Sequence, residues 1–429
     1  LTKIKAMNIF IKENTSYYAP IKYVLKVIEK NRDVKFLLVD EISRAQIIYD
    51  YEDLNSEDID LKFYDNLEEN TDQLKHEYFF TDSVMAVDKK EDLIATIFYL
   101  INCLQEVSPS KDELDQFNRF KYTCSYQYKF NNIEENLVEH LIDLFCDKQQ
   151  IKAEKRKSRF FISHDIDTIY GSFLQDGFWA LKNMKVGVIL NLILFELTRR
   201  PHWRNIDKII KINNEHDVRS TFFWLVNKGK GTLNVQNADY NIDKENSLLK
   251  LVEQSNNTNG LHKSCSNMSI NEELDKGNMK TNYNRYHFLN FRSHTDWKKI
   301  SDSKLSFDCS LGFAEHYGFR NSYGKSFQPF DLSNSKPFDF VESPLNFMDG
   351  TFHKYMKFPS QSIGNTIIDF YQKNEKNCDI SLLWHNTYFT NYKYNSFIDE
   401  YKKVLSFIYE SKIECVSPKE LIIENKIEW

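Results

Sequence analysis

Seven short apolar runs between residues 159 and 386 constrain this chain more than any other feature. They are RFFISHD (159–165), RSTFFWL (219–225), NGLHKS (259–264), RYHFLNF (285–291), KLSFDCSL (304–311), DFVESPL (339–345) and ISLLWHN (380–386). Most are followed by a polar or charged residue and then a helical or loop segment. Ile206, Ile209 and Ile210 precede the second run at helical spacing. Phe397, Ile398, Tyr401, Val404, Leu405 and Ile408 follow the last. Repeated strand–helix alternation predicts a parallel sheet closed or nearly closed into a barrel. In such barrels chemistry collects at the C-terminal ends of the strands.

The first 150 residues have a different pattern. Residues 8–12, 35–40 and 45–51 read as strands, and Ile21, Val24, Leu25 and Ile28 fall at helical spacing between the first two. Further amphipathic helices are expected over 93–104 and around Leu137, Leu141 and Phe145. No chemistry-bearing constellation is visible here. Residues 147–158, DKQQIKAEKRKS, are charged and lack an apolar face. They mark either a domain boundary or an exposed helix end. The expected organisation is a small α/β accessory domain over 1–150 and a barrel over 151–429.

Composition narrows the function classes. Lys and Arg number 56 against 62 Asp and Glu, a net charge of −6. Nucleic-acid binding needs a basic face and is not expected. The seven Cys are scattered without a CxxC pair, which argues for free thiols in a reducing compartment. No secretory signal is visible and a cytoplasmic location is expected. The longest apolar stretch, Val186 to Leu197, has 12 residues and is too short to span a bilayer. With Arg199, Arg200 and Trp203 it could lie on a membrane surface; the plainer reading is a helix covering the barrel. GxGxxG, Walker and GxSxG patterns are absent.

The sharpest signal is Ser163-His164-Asp165-Ile166-Asp167, which ends the first run. Side chains alternate along a strand, so Asp165 and Asp167 face the same way and His164 faces away, as a packed histidine. One carboxylate can bind a metal while the other stays free as a base. The bland alternative is a helix cap and a solvated carboxylate. His262 ends another run, and imidazole there suits Zn²⁺. A lone histidine is more often structural, but His287, His385, Arg285 and Glu342 sit at comparable run ends.

With these motifs in this order, the chain resembles the NodB-type polysaccharide deacetylases, carbohydrate esterase family 4. Within that family it is most similar to the bacterial subgroup with an HDxD first motif and an extra N-terminal domain. The resemblance covers about 159–420. It implies a distorted (β/α) barrel of NodB type with a smaller N-terminal α/β domain. It makes Asp165 the base, Asp167 and His262 metal ligands, Arg285 the holder of the base and His385 the general acid. The family's second motif reads His-x-x-x-His, whereas GLHKSCS places Ser266 at the fourth position after His262. The third ligand is then His287 or a water or substrate group, with a metal-free site as the remaining alternative. FDCSLGFAEHYGFR (307–320) and VESPLNFMDGT (341–351) also resemble the subgroup. They offer Asp308, Glu342 and Asp349, with Ser266, as supporting or substrate-contacting residues. The implied function is a divalent-metal hydrolase, with Zn²⁺ the expected ion, that removes N- or O-acetyl groups from a carbohydrate in surface polysaccharide metabolism. The rival readings are a catalytically degenerate carbohydrate-binding protein and a related-barrel hydrolase of cyclic or linear amides.

Overall fold

The computed structural model describes residues 5–87, 90–152, 155–171, 173–198, 203–390 and 393–429. Three short parallel strands, β1 (Lys5–Ile11), β2 (Val34–Leu38) and β3 (Ile47–Tyr49), form an N-terminal sheet in the order β2–β1–β3. Helix α1 (Tyr18–Asn31) presents Ile21, Val24, Leu25 and Ile28 to the core. Helix α2 (Leu93–Ile101) is buried along almost its whole length, and its first turn is capped by Asp92, which accepts from the Ala95 amide. Helix α3 (Leu137–Lys148) follows.

The second sheet has eight strands. In chain order they are β4 (Arg159–Ile166), β5 (Thr221–Trp224), β6 (Thr258–Lys263), β7 (Tyr283–Tyr286), β8 (Phe307–Asp308), β9 (Val341–Glu342), β10 (Phe347–Met348) and β11 (Asp379–Leu383). The spatial order is β9–β8–β7–β6–β5–β4–β11–β10, and every neighbouring pair is parallel. This order forces curvature. Laid flat, eight strands would put β9 and β10 about 33 Å apart. Yet the chain passes from Glu342 to Phe347 in five residues, which reach at most about 18 Å. The edges must therefore curl toward each other, and the result is a distorted, incompletely closed (β/α) barrel, as the resemblance implies.

The sequence period of β4 separates inside from outside. Phe160, Ile162 and Ile166 join the large outer core, while Phe161 meets Phe223, Phe307, Cys309 and Val341 within the barrel. Val416 and Leu421 close that interior cluster. Leu421 lies on a helix, Pro418–Asn425, whose Glu424 pairs with Arg159 at the start of β4. The N-terminal end of the barrel is thus plugged and the opposite end is left for chemistry.

The outer apolar core runs without a break from Met7 and Ile9 to Phe160 and Ile380. Polar ties cross the same boundary. Arg320 makes a bidentate pair with Glu106 at 3.0 and 2.6 Å, both fully buried. Arg32 reaches Glu139, which also accepts from Asn377. The charged stretch 147–158 is itself anchored: Ile151 is buried, and Arg156 pairs with Asp379 and Glu424. Among the described residues, no helix is long and apolar enough to cross a membrane.

Candidate active site

Every candidate singled out in the runs lies at or just beyond the C-terminal end of a barrel strand. Asp165, near the end of β4, points inward and is fully buried. Arg285 Nη1 donates to its Oδ1 at 2.9 Å from β7, three strands away. That reach needs a narrow interior. Phe223 of β5 fills the space between them, and the Arg285 guanidinium lies over its ring at 4.7 Å. Gly260 of β6 makes room for the ring, because a Cβ there would sit 2.5 Å from it. Burial opposes ionisation of Asp165, but His262, Arg285 and His385 outweigh it and hold the carboxyl below its usual value.

Asp167 continues past the strand and is about a quarter exposed, at 26%. Its Oδ1 lies 3.5 Å from His262 Nε2 and 3.6 Å from His287 Nε2. Ligand-capable atoms of these three residues all fall within 4.8 Å of one another. A tetrahedral ion with bonds of about 2.05 Å has ligands about 3.4 Å apart, so the separations suit a small divalent cation. Hydrogen bonding agrees. His262 Nδ1 faces the Arg285 carbonyl at 2.9 Å, and a carbonyl only accepts, so the proton sits on Nδ1 and the Nε2 lone pair faces the cluster. Asp167 Oδ1 and His262 Nε2, which face each other, are buried without a hydrogen-bond partner; His287 turns Nε2 toward Asp167, and its other ring nitrogen, Nδ1, also has none. Unsatisfied polar atoms converging on one point are the arrangement a metal would complete.

Ser266 faces elsewhere. Its hydroxyl donates to Glu273 Oε1 at 2.8 Å, and Glu273 also binds Lys263. The serine thus ties the end of β6 to the helix Ile270–Lys276. His287 comes from the turn after β7 instead, which is why a ligand spacing within one motif does not find it.

His385, two residues beyond β11, faces the cluster from the other side, with Nε2 3.9 Å from Asp167 Oδ2. Its Nδ1 is bonded to Asp349 Oδ1 at 2.6 Å. Burial pushes the His385 pKa down, Asp349 together with Asp167 and Asp165 outweighs it, and the balance lies at about 9. Asp349 follows β10, the strand paired with β11, so the two ends meet directly.

Asp308 and Glu342, paired in register across β8 and β9, are fully buried and out of a substrate's reach. Asp308 accepts from Asn284 and Ser310, and Glu342 from Trp297 and Leu311. Burial raises Asp308 to about 6 and, together with Asp308, drives Glu342 well above the carboxylate range. They brace the barrel wall behind Arg285. His164 points outward, as alternation requires, and packs with Asn213, Trp384 and Tyr401.

One contributor has no sequence signal. After Tyr286 the chain turns through Phe288 and Leu289 with φ of 59° and 50°, a costly conformation for bulky side chains. Arg119, from the N-terminal segment, donates to the Phe288 carbonyl at 2.8 Å and to the Tyr355 hydroxyl at 3.0 Å. It holds the turn that carries His287.

A family profile described as a family of unknown function, DUF7033, matches residues 7–153. No curated protein matches the sequence. Among solved structures, the chain is similar to a polysaccharide deacetylase from Bacillus cereus, with 10% identity, a TM-score of 0.32, and 62% of this chain and 94% of that one covered. It is similar to the allantoinase PuuE at 9% identity and a TM-score of 0.38, with 62% and 89% covered. A CE4-family pseudoenzyme from Bacillus anthracis is similar at 10% identity and a TM-score of 0.27, with 64% and 70% covered.

Proposed function

We propose that the protein is a metal-dependent hydrolase that removes N- or O-acetyl groups from a carbohydrate, in surface polysaccharide metabolism. We place it in the HDxD subgroup of NodB-type deacetylases, with residues 1–150 as the accessory unit and 151–429 as the barrel. One observation carries the reading. An arginine-held carboxylate, a three-residue group with unpartnered ligand atoms and a carboxylate-held imidazole converge at one barrel mouth.

In this reading Asp167, His262 and His287 hold the ion. A bound divalent metal, Zn²⁺ by its fit to one carboxylate and two imidazoles, would supply an acidified water and polarise the acetyl carbonyl. Asp165 takes the proton of the attacking water, and Arg285 keeps Asp165 ionised and aimed. His385 Nε2 gives a proton to the departing amine or alkoxide, and Asp349 fixes its tautomer and orientation. The test is acetate release from a panel of N- and O-acetylated oligosaccharides by zinc-loaded protein, abolished by chelation. Cleavage of cyclic amides without acetate release would move the protein to amide hydrolysis. Sugar binding without metal uptake would make it a binding protein.

Two further outcomes are expected. His262→Ala should abolish stoichiometric metal uptake. His287→Ala should weaken it by at least the roughly 10–100-fold seen when groups supporting a ligand are lost. Unchanged affinity in His287→Ala, read by competition with a chelating dye, would return the third position to water. The second outcome concerns pH. His385 is the proton donor below its pKa of about 9, so kcat should fall as pH rises through that value. Asp349→Asn removes the largest raising influence and should move this limb to lower pH. A limb that stays in place would take His385 out of the acid role.

A further inference from the structure

Helices α4 (Phe173–Lys182) and α5 (Val186–Thr198) form a hairpin that does not cover the barrel. They pack on each other, and of the thirteen residues of α5 only Leu192 is buried. Nearly half of the exposed large hydrophobic side chains among the described residues lie on this hairpin. Leu174, Phe178, Leu181, Met184, Val186 and Leu197 are among them, with Met184 88% exposed at the turn. A water-soluble surface rarely leaves so much contiguous apolar area uncovered without a partner.

The charges around the apolar tip identify that partner. Between residues 173 and 200, Lys182, Lys185, Arg199 and Arg200 stand against only Asp176 and Glu196, whereas the whole chain carries −6. Arg199 and Arg200 lie outside the described residues and count here by sequence alone. Lys182 and Lys185 are exposed and flank Met184. Asp176 is buried and accepts from Trp203 Nε1 at 3.1 Å, so it does not offset the basic tip. Exposed apolar side chains flanked by lysines fit the headgroup–acyl boundary of an anionic bilayer.

The segment that leads toward the hairpin is held by hydrogen bonds. Asp239 accepts from the amides of Ile169, Tyr170 and Gly171, only a few residues beyond Asp165 and Asp167. We infer that the α4–α5 hairpin docks the protein on an anionic lipid surface, with the barrel mouth on the side of the membrane. The inference stands on the hairpin and holds whatever reaction the site performs.

The test is flotation of the full chain with vesicles of phosphatidylglycerol and phosphatidylcholine, beside vesicles of phosphatidylcholine alone. Binding is expected to the anionic vesicles and to weaken with salt. Met184→Glu with Val186→Glu should reduce it by about 100-fold. Lys182→Glu with Lys185→Glu should reduce it by about tenfold or more. All four side chains are exposed, so the melting temperature should not move and a folding defect would be visible. Absence of flotation with anionic vesicles overturns the inference, and so does flotation that the variants leave unchanged. A dimer that Met184→Glu with Val186→Glu converts to monomer, without vesicle binding, also overturns it and assigns the face to a second copy.

Discussion

Asp165→Asn is expected to cut kcat for acetate release by about 10²–10⁴ while leaving metal content unchanged. The carboxyl sits 2.9 Å from Arg285 Nη1 and 3.4 Å from His262 Nε2, close to the ligand group but outside it. The amide of Asn keeps the shape and one acceptor but cannot take a proton, so binding should survive and chemistry should not. Metal content by elemental analysis and turnover in the same preparation decide it. A variant that loses its metal would move Asp165 into the coordination set and leave the base to another residue.

Glu106→Gln should destabilise the whole chain by about 3–5 kcal/mol, because it leaves the buried Arg320 guanidinium without its counter-charge. The two side chains are 2% and 1% exposed, and solvent can screen neither. The pair ties the segment after α2 to the loop beyond β8, within a core shared by both sheets. One cooperative urea transition is therefore expected, moved bodily to lower concentration in the variant. Two transitions with only one displaced would mean that the segments unfold separately. Replacing both partners with apolar residues of similar size should recover most of the loss, since no charge is then stranded.

The legible part of the fold was the part governed by periodicity. The seven runs lie where strands or strand ends occur, and alternation in β4 correctly turned Asp165 inward and His164 outward. Two runs hid more than periodicity can show. RYHFLNF is a strand only as far as Tyr286, because Phe288 and Leu289 adopt positive φ. DFVESPLNFMD holds two strands, β9 and β10, on opposite edges of the sheet, a separation set by closure and not by local pattern. Apolarity made α5 look like a cover for the barrel, but whether an apolar helix is covered depends on what lies across from it. The site residues were legible because they stand beside strand ends. Phe223, Gly260 and Arg119 were not, since their roles arise from contacts across the barrel or from more than 160 residues away.

The grip of Arg119 on the Phe288 turn has a consequence for how such chains can be rearranged. A barrel grafted onto a different leading segment would keep its strands and its Asp165–Arg285 pair. It would lose the Arg119 guanidinium that holds the carbonyl next to His287. Chimaeras should therefore fold and yet take up metal poorly unless an equivalent arginine comes with the graft. The two segments would then be inherited as a matched pair, with Arg119 and the turn it holds as the seam to preserve.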